Sequence, residues 1–293
     1  LGTEGCPPLQ IRGVDPDSLE PFVQIPGHVS SQYMTSLMLV APSLPNGLDI
    51  QIQGTLRSSS YIQMTLNVMA AFGIDVQQPA ENLYKVFPQT RTCATYYIEG
   101  DASGASYLWG LAALTAGTVR VHGIHLNSAQ GDAQFPNILK QMGCSIQEGR
   151  EDDIPWVEVS GPSQLHAVNV DMTEMPDTAM TLAVLAACAK GKTIITGLHT
   201  LKHKETDRLL ALHQELAKTG IQTKISDHHI EIVGGTPHGA QIATYEDHRM
   251  AMCFGMLASC VPNLYIEDPA VVNKSFPNFW PMLEQCGIQI SNA

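Results

Sequence analysis

Apolar positions along the chain follow two alternating patterns. In the first, a few small polar or acidic residues open a helix rich in Ala, Leu and Met, which leads through a turn into a β-branched strand. Four copies occur: Ser30-Ser31-Gln32 to Ile52, Asp101-Ala102-Ser103 to Val121, Asp177-Thr178-Ala179 to Ile195, and Asp247-His248-Arg249 to Ile266. In the second, a polar loop feeds an amphipathic helix that stops at a glycine before another strand. The stops read Phe72-Gly73-Ile74, Met142-Gly143-Cys144, Thr219-Gly220-Ile221 and Cys286-Gly287-Ile288. A glycine there predicts a left-handed helix C-cap, and the Val/Ile alternation beyond it predicts a strand. The double unit recurs roughly every 70 residues, outside the short solenoid periods.

The two helix types have different destinations. Met180-Thr181-Leu182-Ala183-Val184-Leu185-Ala186-Ala187 is apolar nearly all round, so it must be buried on most of its surface. The helix from Leu209 to Lys218 carries a polar face and should lie outside. Inner helices with a common direction would bring Ser30, Asp101, Asp177 and Asp247 to one end. Their free N–H groups and partial positive charge suit phosphate there.

Charge sharpens this picture. The 293 residues include 16 Lys and Arg against 28 Asp and Glu, a net charge of −12, which argues against nonspecific nucleic-acid binding and against an anionic membrane surface. Positive charge for an anionic ligand must therefore be local. Lys204-Glu205-Thr206-Asp207-Arg208 places two cations within five positions at a helix mouth. Arg249 and Lys274 stand at similar loop-to-helix junctions. Seven scattered cysteines favour reduced thiols and a cytoplasm-like compartment. No apolar run approaches the length of a membrane span, and histidine spacing gives a metal site no support.

Taken in order, Ser30-Ser31-Gln32-Tyr33, Gly100-Asp101-Ala102-Ser103, Gln130-Gly131-Asp132, Met175-Pro176-Asp177, Lys204 to Arg208, Asp247 to Met252 and Lys274-Ser275-Phe276-Pro277 form a distinctive series. On these motifs the chain resembles the 5-enolpyruvylshikimate-3-phosphate synthase family, the 3-phosphoshikimate 1-carboxyvinyltransferases of the shikimate pathway and aromatic amino-acid biosynthesis. The resemblance implies an α/β fold of repeated βαβαββ units, an alpha-beta prism in two domains that close on ligands at their interface. Residues 1–99 are then the C-terminal part of one incomplete prism, and 100–293 most of the second. The implied substrates are shikimate 3-phosphate and phosphoenolpyruvate, with no metal or organic cofactor.

The same resemblance implies roles by residue. Ser30, Ser31 and Ser58 match hydroxyls on the shikimate phosphate, Gln32 an amide reaching both substrates, and Tyr61 a residue near the shikimate ring. Asp177 matches the carboxylate on the ring hydroxyls and the base for the 5-hydroxyl. Lys204 matches a contact on the phosphate side. Arg208, Arg249 and Lys274 match the cations around phosphoenolpyruvate, and Glu205 an acid that moves a proton at its methylene carbon. Lys274 is counted with Asp177 and Glu205 as catalytic.

Simpler readings stand beside these roles. Ser30-Ser31, Asp177 and Asp247 also suit helix N-caps, and Lys204 to Arg208 an i,i+4 surface network. Asp207 reads as a cap or orienting partner. Tyr61 reads as packing, and His248 and His228-His229 as structural or solvent-facing.

Gly104 stands where many relatives have Ser, and Thr200 where some use Asn. A family segment with a Pro-Gly-Ser-Lys-Ser stretch and further arginines is expected before Leu1, so the chain by itself is expected to turn over poorly. Such a segment is the expected partner. A plastid replaces the cytoplasm if the source is a plant. The alternatives are a UDP-N-acetylglucosamine enolpyruvyl transferase and a noncatalytic substrate-binding fragment.

Overall fold

The computed structural model describes residues 8–27, 30–54, 59–92 and 95–291. The chain divides into two compact units, 1–96 and 97–293.

The first unit runs β1 (Phe22–Pro26), α1 (Ser31–Val40), β2 (Leu48–Gln53), α2 (Ser59–Ala71), β3 (Gln77–Ala80) and β4 (Leu83–Val86). Its sheet has the order β1-β2-β4-β3, with β1 parallel to β2 and the other pairs antiparallel. This is one complete βαβαββ motif. Leu48, Ile50 and Ile52 alternate inward along β2 and meet Met34 and Met38 of α1 and Ile62 of α2 in the core.

Among the described elements the second unit holds one complete copy of the motif between two partial ones. First come α3 (Ala102–Thr115), β5 (Thr118–His122), α4 (Phe135–Gln141), β6 (Ser145–Glu151) and β7 (Ile154–Ser160), with sheet order β5-β7-β6. Then follow β8 (Asn169–Asp171), α5 (Ala179–Ala187), β9 (Lys192–Thr196), α6 (Arg208–Lys218), β10 (Gln222–Ile225) and β11 (Ile230–Val233). Their order β8-β9-β11-β10 repeats that of the first unit. Last are β12 (Gln241–Ile242), α7 (His248–Ala258), β13 (Tyr265–Ile266) and α8 (Phe279–Gln285).

The inner helices α3, α5 and α7 pack on one another. All nine residues of α5 are buried, as its apolar circumference requires. Gly110 permits the close approach: a Cβ there would lie 2.4 Å from Met256 Sδ and 3.2 Å from Thr181 Cγ2. The helix-stopping glycines adopt positive φ, from +75° at Gly73 to +105° at Gly143, so left-handed caps end α2, α4, α6 and α8.

Candidate active site

The second unit gathers charged side chains where α5, α6 and α7 begin. Arg208, the first residue of α6, is buried to 1% exposure. Its Nε donates to Asp247 Oδ2 at 2.7 Å, its Nη1 to Asp177 Oδ1 at 3.0 Å and its Nη2 to Glu205 Oε2 at 2.7 Å. A guanidinium can serve three carboxylates at once because its donors form a planar fork. Asp177 is shared further, with Lys204 Nζ at 3.2 Å and Arg249 Nη2 at 3.1 Å. Lys274 donates to Glu205 Oε1. Asp177, Lys204, Glu205, Arg208, Arg249 and Lys274, the charged residues given site roles from 177 onward, thus form one network together with Asp247.

The cap reading separates the two aspartates. Asp247 caps α7, accepting the Arg249 N–H at 2.8 Å while its carboxylate also holds Arg208. Asp177 serves the cations: Thr178 is the residue at the N-cap of α5 and its side chain makes no cap hydrogen bond, while the Asp177 carboxylate faces Lys204, Arg208 and Arg249. Asp207 caps α6 by accepting the Leu210 N–H at 3.1 Å. The Lys204 to Arg208 run is therefore no surface i,i+4 ladder, since its key cation points inward.

This arrangement sets the ionisation states. Burial alone would raise the Asp177 carboxyl, but Arg249, Lys204 and Arg208 outweigh it and hold it well below the usual carboxylate range. Partial burial of Glu205 is likewise overcome, first by its hydrogen bond from Lys274 and then by Arg208, which bring it down to about 2. Both acids are ionised at neutral pH.

Two neighbours escape the sequence reading. Arg249 Nη1 donates to the buried Tyr107 hydroxyl at 3.3 Å, from the middle of α3. Asp132 is buried and accepts from Ser103 Oγ, and its burial pushes the carboxyl up to about 6. Gln130-Gly131-Asp132 marks the position in the sequence, but no pattern signals its burial. Of the two readings open for His248, structural or solvent-facing, the structure gives the first: it is 4% exposed, and burial followed by the Arg249 charge lowers its pKa. Its Nδ1 lies 3.7 Å from Asp247 Oδ1 and 4.0 Å from Glu205 Oε1 without a hydrogen bond.

Gly104 leaves room for Asp101, whose Oδ2 would lie 3.2 Å from an added Cβ. The Thr200 hydroxyl is buried without a hydrogen-bond partner. His228 stacks on His199 at 4.6 Å, away from the charged network.

The first unit holds the remaining predicted residues. Ser30 caps α1, accepting the Gln32 N–H at 3.2 Å. Ser31 is buried, the Gln32 side chain is exposed and Tyr61 is half-buried on α2. Ser58 lies outside the described residues.

Solved structures share this architecture. EPSP synthase from Acinetobacter baumannii aligns with a TM-score of 0.76 at 24% identity, covering 92% of this chain and 63% of its own. The enolpyruvyl transferase NikO from Streptomyces tendae aligns at 0.71 and 17% identity, covering 94% of this chain and 66% of its own. The fold is that of the enolpyruvyl transferases. The family described as EPSP synthase (3-phosphoshikimate 1-carboxyvinyltransferase) matches residues 1–283. The 3-phosphoshikimate 1-carboxyvinyltransferase of Photorhabdus laumondii is 40% identical over 291 residues, and that of Salmonella arizonae 38% over 286. The chain belongs to the EPSP synthase family. The aligned region is 97% of this chain but only 65% of the length of each of those two relatives.

Proposed function

We propose that the protein transfers the enolpyruvyl group of phosphoenolpyruvate to the 5-hydroxyl of shikimate 3-phosphate, releasing phosphate. The observation that carries this reading is the concentration of Lys204, Arg208, Arg249 and Lys274 around Asp177 and Glu205 in a chain of net charge −12. Two anionic substrates need such local charge, and a planar Arg fork suits both carboxylate and phosphate.

Each residue then has a task. Arg249 and Lys274 bind phosphoenolpyruvate, while Arg208, enclosed by three carboxylates, chiefly holds the frame. Lys204 leans toward the shikimate phosphate. Asp177 takes the proton of the 5-hydroxyl as its oxygen attacks C2. While Arg249 and Lys204 lie on Asp177 it is a weak base; substrate anions that draw them away raise its basicity, so binding itself arms it.

The methylene C3 must gain a proton to give the tetrahedral adduct. The Glu205 and Lys274 pair supplies it, because substrate drawing off Lys274 lets Glu205 take up a proton. Loss of phosphate and of one C3 proton then restores the vinyl group. Dense positive charge stabilises the adduct, an effect worth about 10²–10³ in rate per donor.

Ser30, Ser31, Gln32, Ser58 and Tyr61 are proposed as shikimate 3-phosphate ligands by family resemblance. We place residues 1–99 in one prism domain and 100–293 in the other, and assign the remaining phosphate ligands to a segment outside residues 1–293. The free cysteines among the described residues support a reducing compartment, the cytoplasm.

Calorimetric titration with each substrate, together with phosphate release, tests the proposal. Shikimate 3-phosphate and phosphoenolpyruvate should bind, the second more tightly after the first. Asp177→Asn should keep binding within tenfold and lower turnover by about 10²–10³. Turnover of UDP-N-acetylglucosamine instead, or no binding of either substrate, would replace this reading.

A further inference from the structure

The loop that leads into α7 carries an uncommon backbone. Asp247 N–H donates to Thr244 O at 2.9 Å, closing a four-residue turn whose two central residues both have positive φ, Tyr245 at +54° and Glu246 at +56°. Turns of that kind normally take Gly, Asn or Asp, because a bulky side chain at positive φ crowds its own backbone. Tyr and Glu hold it here, so something outside the turn must stabilise it.

That support comes from α6. Glu215 lies seven residues after Arg208, on the same face of the helix, and is completely buried. One carboxylate oxygen accepts the Ala243 N–H at 3.1 Å, immediately before the turn, and the other accepts the Tyr245 hydroxyl at 2.5 Å. Lys218 Nζ, at 2.7 Å, balances the charge. The turn then delivers Asp247 to Arg208 and starts α7 with Arg249 aimed at Asp177. Two fasteners therefore join α6 to this segment: Arg208 with Asp247 at the site, and Glu215 with Tyr245 two helical turns behind it.

We propose that Glu215 and Tyr245 are positioning residues: the hydrogen bond from the half-buried Tyr245 to buried Glu215 holds the strained 244–247 turn and thereby sets Arg249 for the phosphoenolpyruvate anion. This rests on the function proposed above. Neither residue touches substrate. Their effect passes through the turn, so it falls on the ligand of Arg249 rather than on that of Lys204.

Tyr245→Phe keeps the ring and removes only the hydroxyl. In that variant KM for phosphoenolpyruvate should rise about tenfold, while KM for shikimate 3-phosphate stays within twofold. Amide hydrogen exchange at Asp247 and Arg249 should quicken in the protein without substrates. Adding Glu246→Gly to Tyr245→Phe should recover most of the KM, because glycine adopts positive φ without steric cost. Unchanged exchange and unchanged KM in Tyr245→Phe would overturn the proposal. So would an equal rise in both KM values that Glu246→Gly fails to reverse, which marks a general loss of stability. If the protein supplied with the segment assigned outside residues 1–293 forms no product from the two substrates, the function proposed above fails, and the exchange measurement still decides whether the hydroxyl holds the turn.

Discussion

One motif occurs in both units with different fates. In the first unit α1 buries only Ser31, Met34 and Met38 of its ten residues, and Tyr33, Leu39 and Val40 are each about half exposed. In the second unit α5 buries all nine. Strand order is the same, β1-β2-β4-β3 against β8-β9-β11-β10, so topology does not depend on how many motifs gather. Burial does. Three inner helices that pack on one another create an interior where charges can be desolvated and held, and the charged network stands at the mouth of that interior.

The largest expected effect tests whether that interior depends on its charges. Arg208→Met leaves Asp247 buried without its cation and should cost about 3–5 kcal/mol. Urea unfolding measures the loss, and hydrogen exchange should locate it in the second unit; an equal loss in β2 of the first unit would break the contrast. Next, Leu182→Ala, in fully buried α5, should cost about 2–5 kcal/mol, whereas Leu39→Ala, 47% exposed on α1, should stay within about 0.5 kcal/mol. Comparable values would show that the two inner surfaces are equally packed.

Asp132 adds a pH signature to the second unit. A carboxyl whose folded pKa exceeds its unfolded value of about 3.9 contributes stability below that pH and loses it as pH rises through about 6. Asp132→Asn should flatten this slope, a gain on the order of 3 kcal/mol at pH 7, measured as the difference between unfolding curves at pH 4 and pH 7. Glu205 has the opposite sign: its folded pKa is depressed, so its contribution is present above about 4.3 and lost as pH falls through about 2. A modest effect belongs to the first unit, where Ser30→Ala removes the cap of α1 and should cost about 1 kcal/mol. A much larger cost would mean that Ser30 does more for the fold than end a helix.

Several of these residues were legible without coordinates. The glycine stops, the inner and outer helices and the Lys204, Arg208, Arg249 and Lys274 junctions all follow from period and charge, because helix caps and amphipathic faces are local properties. Tyr107 and Asp132 were not, since an apolar helix hides a tyrosine among its core residues and a loop aspartate usually meets water. Glu215 and Tyr245 were hidden for the same reason: they lie 30 residues apart, and nothing in either neighbourhood announces a shared hydrogen bond.

By itself the sequence determined the repeating motif, the burial of α5 and the family, since these rest on spacing and on short runs of residues. Only the tertiary structure decided that Arg208 is enclosed by three carboxylates, that Asp177 is shared among three cations and that His248 is buried. Those facts depend on which helix ends converge. Convergence comes from packing α3, α5 and α7 together, which sums contacts between segments about 70 residues apart and leaves no local trace.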